Sequence, residues 1–250
     1  MDNQIIDTSF DFWTETFGDK PDPDSQSQTL RKYHKILWNK PLPDGKTFEL
    51  TYDSKGYFYH KSDKQEEFRL SSDAITNSYK NYKHRKDIQM ILEQIPNEVD
   101  ELRKACSIGC YILFPNNKID GQPTINMERG TNPNIFDRFD LTLECIRRFY
   151  SNKEGENLDK KDFKNPLYET LKRYENFFDL FVDFEGYVKF FLLEDLVNED
   201  KSIKFYLPFD NFANPPKFDT VEDYLIYKNG VLAFYKSKKQ KNRKLYSRKQ

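Results

Sequence analysis

The segment at residues 107–150, SIGCYILFPNNKIDGQPTINMERGTNPNIFDRFDLTLECIRRFY, restricts the fold of this chain more than any other part of the sequence. It places several arginines and acidic residues among apolar ones: Arg129, Arg138, Arg147, Arg148, Asp137, Asp140 and Glu144. Because unpaired charges are costly to remove from water, this pattern predicts specific ion pairs or a binding site. The segment therefore indicates where a site lies, although it contains no diagnostic catalytic motif.

The same segment also predicts local structure. The apolar run at 108–114 is typical of a strand. The turn residues PNN and DG follow it, and residues 124–127 are expected to form a second strand that pairs with the first, which predicts a hairpin. An Asn-Pro pair at 132–133 is a good helix start, since Pro at the first helical position loses no hydrogen bond. We therefore predict a helix over 133–150. Its buried face is expected to contain Ile135, Phe139, Leu143 and Ile146.

The rest of the chain separates into strands and helices. Residues 47–53 alternate with period two, and further strands are expected at 57–61 and 67–71. Helices are expected mainly after residue 127, so the predicted fold class is α+β. In this fold, N-terminal antiparallel strands and hairpins pack against a mainly helical C-terminal half. One domain is expected over 1–235, with an internal hinge at 151–163.

Composition indicates a folded chain with an aromatic core. Hydrophobic residues make up 37% of the 250 residues and charged ones 32%, but the 22 Phe and 16 Tyr offset this polarity. Each aromatic side chain buries more area than Leu or Val. The net charge of −1 gives no global attraction to nucleic acid or membranes. All charges within residues 236–250 are basic, which predicts a C-terminal tail that is either solvated or in contact with RNA or an acidic partner.

The number of cysteines and the length of the apolar runs indicate where in the cell the protein is located. Three cysteines do not make a disulfide framework, and the odd number leaves at least one free thiol. The first residues are acidic and do not resemble a signal peptide. The longest apolar runs are far shorter than the roughly 20 residues that a membrane helix needs. We therefore expect a cytoplasmic protein without membrane contact.

Several long phrases carry a resemblance: DPDSQSQTLRKYHKILWNKPLPDG, FRLSSDAI, ILFPNNKIDGQPTINMERG, DRFDLTLECIRRFY and YENFFDLFVDFEGYVKFFLLEDLV. Together they resemble an uncharacterised bacterial protein family, a domain of unknown function. The resemblance extends over about residues 22–218. It implies no activity, no catalytic residue and no cofactor.

The arginines provide the first candidate site. If Arg129 follows the hairpin and Arg138 lies in the first turns of the helix, their guanidinium groups converge near a helix N-terminus, which suits a phosphate or carboxylate. Arg147 is a further candidate ligand-binding residue. The alternative is a structural network, in which Glu144 and Arg148 pair at i,i+4 spacing, and Asp140 and Arg147, two turns apart, share a helix face.

Acid–base groups provide the second candidate. His60 on a predicted strand, with Ser72 and Asp73 in a neighbouring turn, can supply proton transfer or hold a ribose. Asp137 is the other candidate for handling a proton. An ordinary capping turn and a surface histidine explain His60, Ser72 and Asp73 equally well.

The DPD phrase provides a third candidate. Asp22 and Asp24 precede a helix that carries Arg31 and His34, and carboxylates of this kind can ligate a metal. A proline-punctuated turn with helix-capping carboxylates explains the phrase more simply. We therefore predict neither a metal nor a cofactor.

Two functions fit these residues. The first is binding of a phosphate-bearing ligand, a nucleotide or RNA, with or without a reaction on it, through the arginine-rich corner. The alternative is a protein-interaction module, such as an inhibitor or immunity-type partner, without catalysis. The sequence contains no Gly-rich phosphate loop, no G-x-S-x-G elbow and no H-E-x-x-H, so its motifs favour neither function.

Overall fold

The computed structural model describes residues 6–52, 58–61, 67–75, 77–80, 86–153, 165–214 and 217–247, with residues 52, 58–61, 67, 152–153 and 244–247 described by their backbone alone. Six strands lie in this part of the chain: β1 Lys40–Pro41, β2 Thr47–Phe48, β3 Leu50–Tyr52, β4 Phe58–Lys61, β5 Glu67–Ala74 and β6 Tyr111–Pro115. Strands lie in the N-terminal half and helices dominate the C-terminal half, which confirms the α+β prediction.

The α-helices of the described residues are α1 Pro23–Gln26, α2 Gln28–Trp38, α3 Lys86–Leu92, α4 Pro96–Lys104, α5 Ile125–Thr131, α6 Phe139–Lys153, α7 Tyr168–Arg173, α8 Glu175–Asp179, α9 Phe184–Phe190 and α10 Val221–Ser247. Short 3₁₀ helices occur at Phe12–Glu15, Ile108–Cys110 and Glu194–Leu196. Side-chain caps fix several helix starts. Ser27 accepts the Leu30 N–H at the start of α2, and Asp183 accepts the Gly186 N–H at the start of α9.

The strands form a two-stranded pair, β1-β2, and a four-stranded antiparallel sheet in the order β3-β4-β5-β6. The register between β4 and β5 runs from Lys61–Glu67 to Phe58–Leu70. On its other side, β5 pairs with β6 as far as Ala74. Among the described residues, the β4-facing edge of β5 is therefore uncovered by a strand from Ser71 to Ala74.

The hairpin predicted at 108–114 and 124–127 is wrong in its second half. Residues 124–127 open α5 instead, because the Thr124 side chain accepts the Met127 N–H and caps a helix. The strand β6 takes β5 as its partner, a pairing between residues far apart in sequence. As a result Arg129, predicted in a turn, lies inside a helix.

The helix predicted from residue 133 begins at Phe139. Phe136 and Asp137 adopt φ of 56° and 53°, in the left-handed region that interrupts a right-handed helix. The burial predicted for its apolar face is nonetheless confirmed, although Ile135 lies before the start of the helix. The residues Ile135, Phe139, Leu143 and Ile146 are all buried.

The chain termini also differ from the sequence-based prediction. The N-terminal part of the described chain contains a 3₁₀ helix at Phe12–Glu15, and one isolated bridge joins Val197 to Ile203. The boundary expected at residue 236 falls inside α10, which continues through Ser247.

The C-terminal part of α10 packs against the rest of the protein. Lys238 and Asn242, one helical turn apart, are fully buried, and the Arg243 Nε donates to Thr8 Oγ1 at 2.9 Å. Polar and basic residues at this end of the chain therefore contribute to the fold. The hinge expected at 151–163 lies largely outside the described residues, since only the end of α6 is described there.

Aromatic side chains supply much of the core. Phe181 lies at the centre of one cluster, with its ring centroid 5.0–5.3 Å from those of Phe177, Tyr187, Phe190 and Phe191. Such contacts add to the energy of area burial. In the described part of the chain, no helix combines the length and the apolar character needed to cross a membrane.

Candidate functional site

Polar side chains from four parts of the chain meet at the uncovered end of β5. Helix α1 supplies Asp24, β5 supplies Ser72 and Asp73, α5 supplies Arg129, and the loop before α6 supplies Asp137. We call this group the β5-edge site. It brings together four of the residues predicted as ligand-binding or catalytic.

Asp24 covers the edge of β5. Its Oδ1 accepts the Ser72 N–H at 2.9 Å, a group that lies beyond the part of β5 paired with the described residues of β4. Asp22 positions it, since its side chain accepts the Asp24 N–H and caps α1. Burial raises the pKa of Asp24 to about 7; the hydrogen bond from Ser72 opposes this rise, and the charges of Asp22 and Asp73 add to it. Asp24 therefore exchanges a proton near neutral pH.

Arg129 links the other two carboxylates of the site. Its guanidinium is fully buried and its Nη1 donates to Asp73 Oδ2 at 2.6 Å and to the Ala74 carbonyl at 3.3 Å. Its Nη2 lies 3.4 Å from Asp137 Oδ1. The side chains of Asp73 and Asp137 remain 28% and 22% exposed, so a solute can reach them.

The pKa of Asp73 is also perturbed. Burial raises it to about 6, the Arg129 charge opposes the rise, and the Asp137 charge adds to it. The site thus holds two carboxyl groups whose pKa values lie well above those of ordinary aspartates. Such values are typical of functional sites, although structural ion pairs also produce them.

A strained loop holds Asp137 in place. Both Phe136 and Asp137 have positive φ, which costs a non-glycine residue about 1–2 kcal/mol. The surroundings fix this conformation: the Tyr79 hydroxyl donates to the Phe136 carbonyl at 2.8 Å, and Asn77 Nδ2 donates to Asp137 Oδ2 at 2.6 Å. The Asp137 N–H donates to the Arg129 carbonyl at 3.0 Å, which ties the loop to α5.

His34 lies behind Ser72 on the other face of the sheet. The Trp38 indole N–H, which can only donate, points to His34 Nδ1 at 2.8 Å. The proton of the neutral ring is therefore on Nε2, which donates to Ser72 Oγ at 2.8 Å. Burial and the Lys238 charge lower the pKa of His34 to about 3, so the ring is neutral. In this tautomer His34 cannot accept the Ser72 proton and does not activate it as a nucleophile.

The other predicted residues lie in different surroundings. Arg138 pairs with Asp140, and Arg147 and Arg148 both pair with Glu144. The pair of Arg148 with Glu144 agrees with the structural network that the sequence left as an alternative to anion binding, whereas Asp140, expected to share a face with Arg147, pairs with Arg138. The backbone of His60 pairs with Leu50 and Phe68 in the sheet, and its side chain lies outside the described residues.

The site is rich in hydrogen-bond acceptors. The carboxylates of Asp73 and Asp137 contact the Arg129 guanidinium, and that of Asp24 binds the neighbouring Ser72 N–H, so the net charge of the site is negative when all three are ionised. Within the described residues no group of three His, Cys, Asp or Glu side chains could hold a metal ion. The arrangement is suited to binding groups that donate hydrogen bonds, and to proton transfer by Asp24 or Asp73.

Sequence reasoning missed Asp24 as a partner of the β5 residues. The DPD phrase indicated a helix cap, which Asp22 provides, and the contact from Asp24 to Ser72 spans 48 residues. Asn77, which fixes Asp137, was also missed. It lies in an irregular stretch without periodicity, so the sequence carried no signal for it.

Comparison with known proteins identifies the family. Residues 6–242 match the model of a family of unknown function, DUF6994. No curated protein and no solved structure matches the chain significantly. Because the family match covers nearly the whole sequence, the chain belongs to this family of unknown function, DUF6994.

Proposed function

We propose that the protein binds a small molecule that carries amine or hydroxyl groups at the β5-edge site. The observation that supports this proposal is the contact of Asp73 and Asp137, both still accessible to solvent, with the buried Arg129, together with Asp24 at the adjacent Ser72 N–H. Carboxylate oxygens accept hydrogen bonds from amines and hydroxyls, and charge-assisted bonds of this kind are the stronger ones.

A phosphate-bearing ligand, predicted from the sequence, is the competing proposal at the same residues. It fits the geometry less well, because Arg129 is already engaged by Asp73 and Asp137. A phosphate would have to displace these carboxylates, and their negative charge opposes its approach. Arg138 and Arg147, the other predicted anion ligands, are paired with Asp140 and Glu144.

Proton exchange is the chemistry that the site offers. With a pKa of about 7, Asp24 is present in both protonation states near neutral pH, which suits a general acid or base. A cationic ligand favours the ionised carboxylate and should release a proton on binding. An anionic ligand favours the protonated carboxyl and should take a proton up.

Isothermal titration calorimetry in two buffers of different ionisation enthalpy tests the proposal. We expect ethanolamine, which carries both kinds of donor and is fully cationic at neutral pH, to bind with proton release. Asp73→Asn should weaken this binding about tenfold, since it removes a charge-assisted acceptor. Arg147→Gln is the matched control and should bind as the wild type does.

The same titration with inorganic phosphate separates the two proposals. Phosphate that binds, and whose binding is lost in Arg129→Lys, would support the phosphate-bearing ligand and contradict ours. Lysine retains the charge but cannot reproduce the planar fork of arginine.

A further inference from the structure

We infer that residues 6–26 carry a docking surface for a lysine- or arginine-rich segment of a partner protein. Two large aromatic residues of this segment are exposed to solvent: Trp13 is 45% exposed and Phe17 is 72% exposed. They are four residues apart, Trp13 on the 3₁₀ helix Phe12–Glu15 and Phe17 in the irregular segment after it. Exposed aromatic side chains of this size are typical anchors of protein interfaces.

The backbone of the two aromatics is held in place. The Phe17 N–H donates to Gln26 Oε1 at 3.0 Å, and Gln26 Nε2 donates back to the Phe17 carbonyl at 3.0 Å. The Trp13 N–H donates to Asp11 Oδ1 at 3.0 Å. Since the segment is already ordered, a partner that binds there loses little free energy in ordering it.

The same segment is acidic, which selects the partner. Residues 6–26 contain six acidic side chains and one lysine: Asp7, Asp11, Glu15, Asp19, Asp22, Asp24 and Lys20. Two arginines from other helices face it, Arg243 near Asp7 and Arg31 near Asp24, and they leave the balance negative. A basic segment complements this charge, and a guanidinium or ammonium group can also stack on Trp13. Nucleic acids and anionic membrane surfaces are repelled by it.

This inference can be tested separately from the small-molecule proposal, because Trp13, Phe17 and Asp19 take no part in the β5-edge site, although Asp24 contributes to the charge of both. Asp24 reaches the β5-edge site, whereas Trp13, Phe17 and Asp19 are exposed. Either proposal can fail while the other stands.

The two tryptophans make the test direct. The chain contains only Trp13 and Trp38, and Trp38 is 1% exposed, so acrylamide quenching of tryptophan fluorescence reports mainly on Trp13. The probe is a short peptide of alternating arginine and leucine, titrated into the full chain at low salt. We expect the peptide to reduce quenching about twofold and its affinity to fall as salt is added.

Variants locate the surface. Phe17→Ser should weaken the peptide about tenfold, as the loss of an interface anchor does. Asp19→Asn should weaken it less and reduce the salt dependence. Met90→Ser is the matched control, since Met90 is 68% exposed on α3 and lies outside the segment; it should leave the affinity unchanged.

Three results would overturn the inference. One is equal binding of a control peptide of alternating glutamate and leucine. Another is unchanged affinity in Phe17→Ser. The third is Trp13 that stays fully quenchable at peptide concentrations on the order of millimolar, where even weak interfaces are occupied.

Discussion

Two buried arginines nine residues apart, Arg129 and Arg138, have different surroundings. Arg138 binds Asp140 through Nε and Nη2, and the Asp140 carboxylate is as fully buried as its partner and also accepts the Tyr206 N–H at 2.9 Å. Arg129 is equally buried, but its partners Asp73 and Asp137 keep 28% and 22% of their side chains exposed. The exposure of the acidic partner, and not that of the arginine, therefore separates a structural pair from a candidate site.

The difference has an energetic reason. A pair that is dry on both sides cannot lose one member without leaving a charge in a region of low dielectric constant. A pair that faces water on the acidic side can be rehydrated, so its carboxylates are available to other partners at lower cost. The first arrangement stabilises a fold, and the second can bind a ligand.

The largest expected effect tests the dry pair. Arg138→Met should destabilise the protein by about 3–5 kcal/mol, because Asp140 is left charged and buried. The double variant Arg138→Met with Asp140→Leu should recover much of this loss, since both charges are then absent. Urea unfolding followed by circular dichroism measures both. A loss below about 1 kcal/mol in the single variant would show that water reaches Asp140.

A smaller loss is expected at the β5-edge site. Arg129→Met should cost about 1–3 kcal/mol, because Asp73 and Asp137 can take up water when the guanidinium is removed. The same unfolding measurement applies, with Arg138→Met as the reference. If both substitutions cost the same, the exposure of the acidic partner does not distinguish the two sites.

Much of the fold could be predicted from residue periodicity. The stripe formed by Ile135, Phe139, Leu143 and Ile146 recurs at helical spacing and is buried. The true start of α6 could not be predicted, because the left-handed conformations of Phe136 and Asp137 depend on contacts from Tyr79 and Asn77, more than 50 residues away. The Asn-Pro signal at 132–133 is compatible with a turn as well as a helix.

The C-terminal end of α10 was predicted to be exposed but is packed against the protein. Its residues are basic and polar, which predicts a solvated tail, yet Lys238 and Asn242 are buried. Burial lowers the pKa of Lys238 to about 7, and the charges of Lys40 and Lys241 contribute to this. A polar sequence predicts exposed side chains, so it cannot indicate that Lys238 is buried despite the free-energy cost of removing its charge from water.

The candidate site was predicted in part. Charged residues set among apolar ones pointed to Arg129 and Asp137, and a polar Ser-Ser-Asp stretch pointed to Ser72 and Asp73. What the sequence could not supply was their common location at one end of β5, or the carboxylate of Asp24, because both depend on the sheet register and on long-range contacts.

Titration of Asp24 should distinguish the β5-edge site by its pH dependence. Its folded-state pKa of about 7 lies above the ordinary 3.8, so folding favours the protonated form. The stabilisation is complete below about pH 4 and is lost as the pH rises through 7. Relative to Asp24→Asn, the wild type should therefore lose about 1–2 kcal/mol between these pH values.

Thermal unfolding of both proteins across this pH range measures the effect. His34 has the opposite sign: its pKa is lowered from 6.5 to about 3, so its contribution is present above 6.5 and is lost as the pH falls. Because His34 is common to both proteins, the difference between them isolates Asp24. Parallel pH profiles would contradict a raised pKa for this carboxyl.

The smallest effect is expected for an ion pair of intermediate exposure. Arg147 and Arg148 both pair with the Glu144 carboxylate. The side chain of Arg147 is 27% exposed, whereas that of Arg148 is 10% exposed and its Nε donates to Glu144 at 2.5 Å. Arg147→Gln should cost less than about 1 kcal/mol, because Arg148 still neutralises Glu144 and solvent screens what is lost. Arg148→Gln should cost more, since the buried side of the carboxylate then loses its cation. Urea unfolding of the two variants checks this order. The reverse order would mean that Glu144 depends more on its exposed partner, and that the burial of an arginine does not set its contribution when two arginines share one carboxylate.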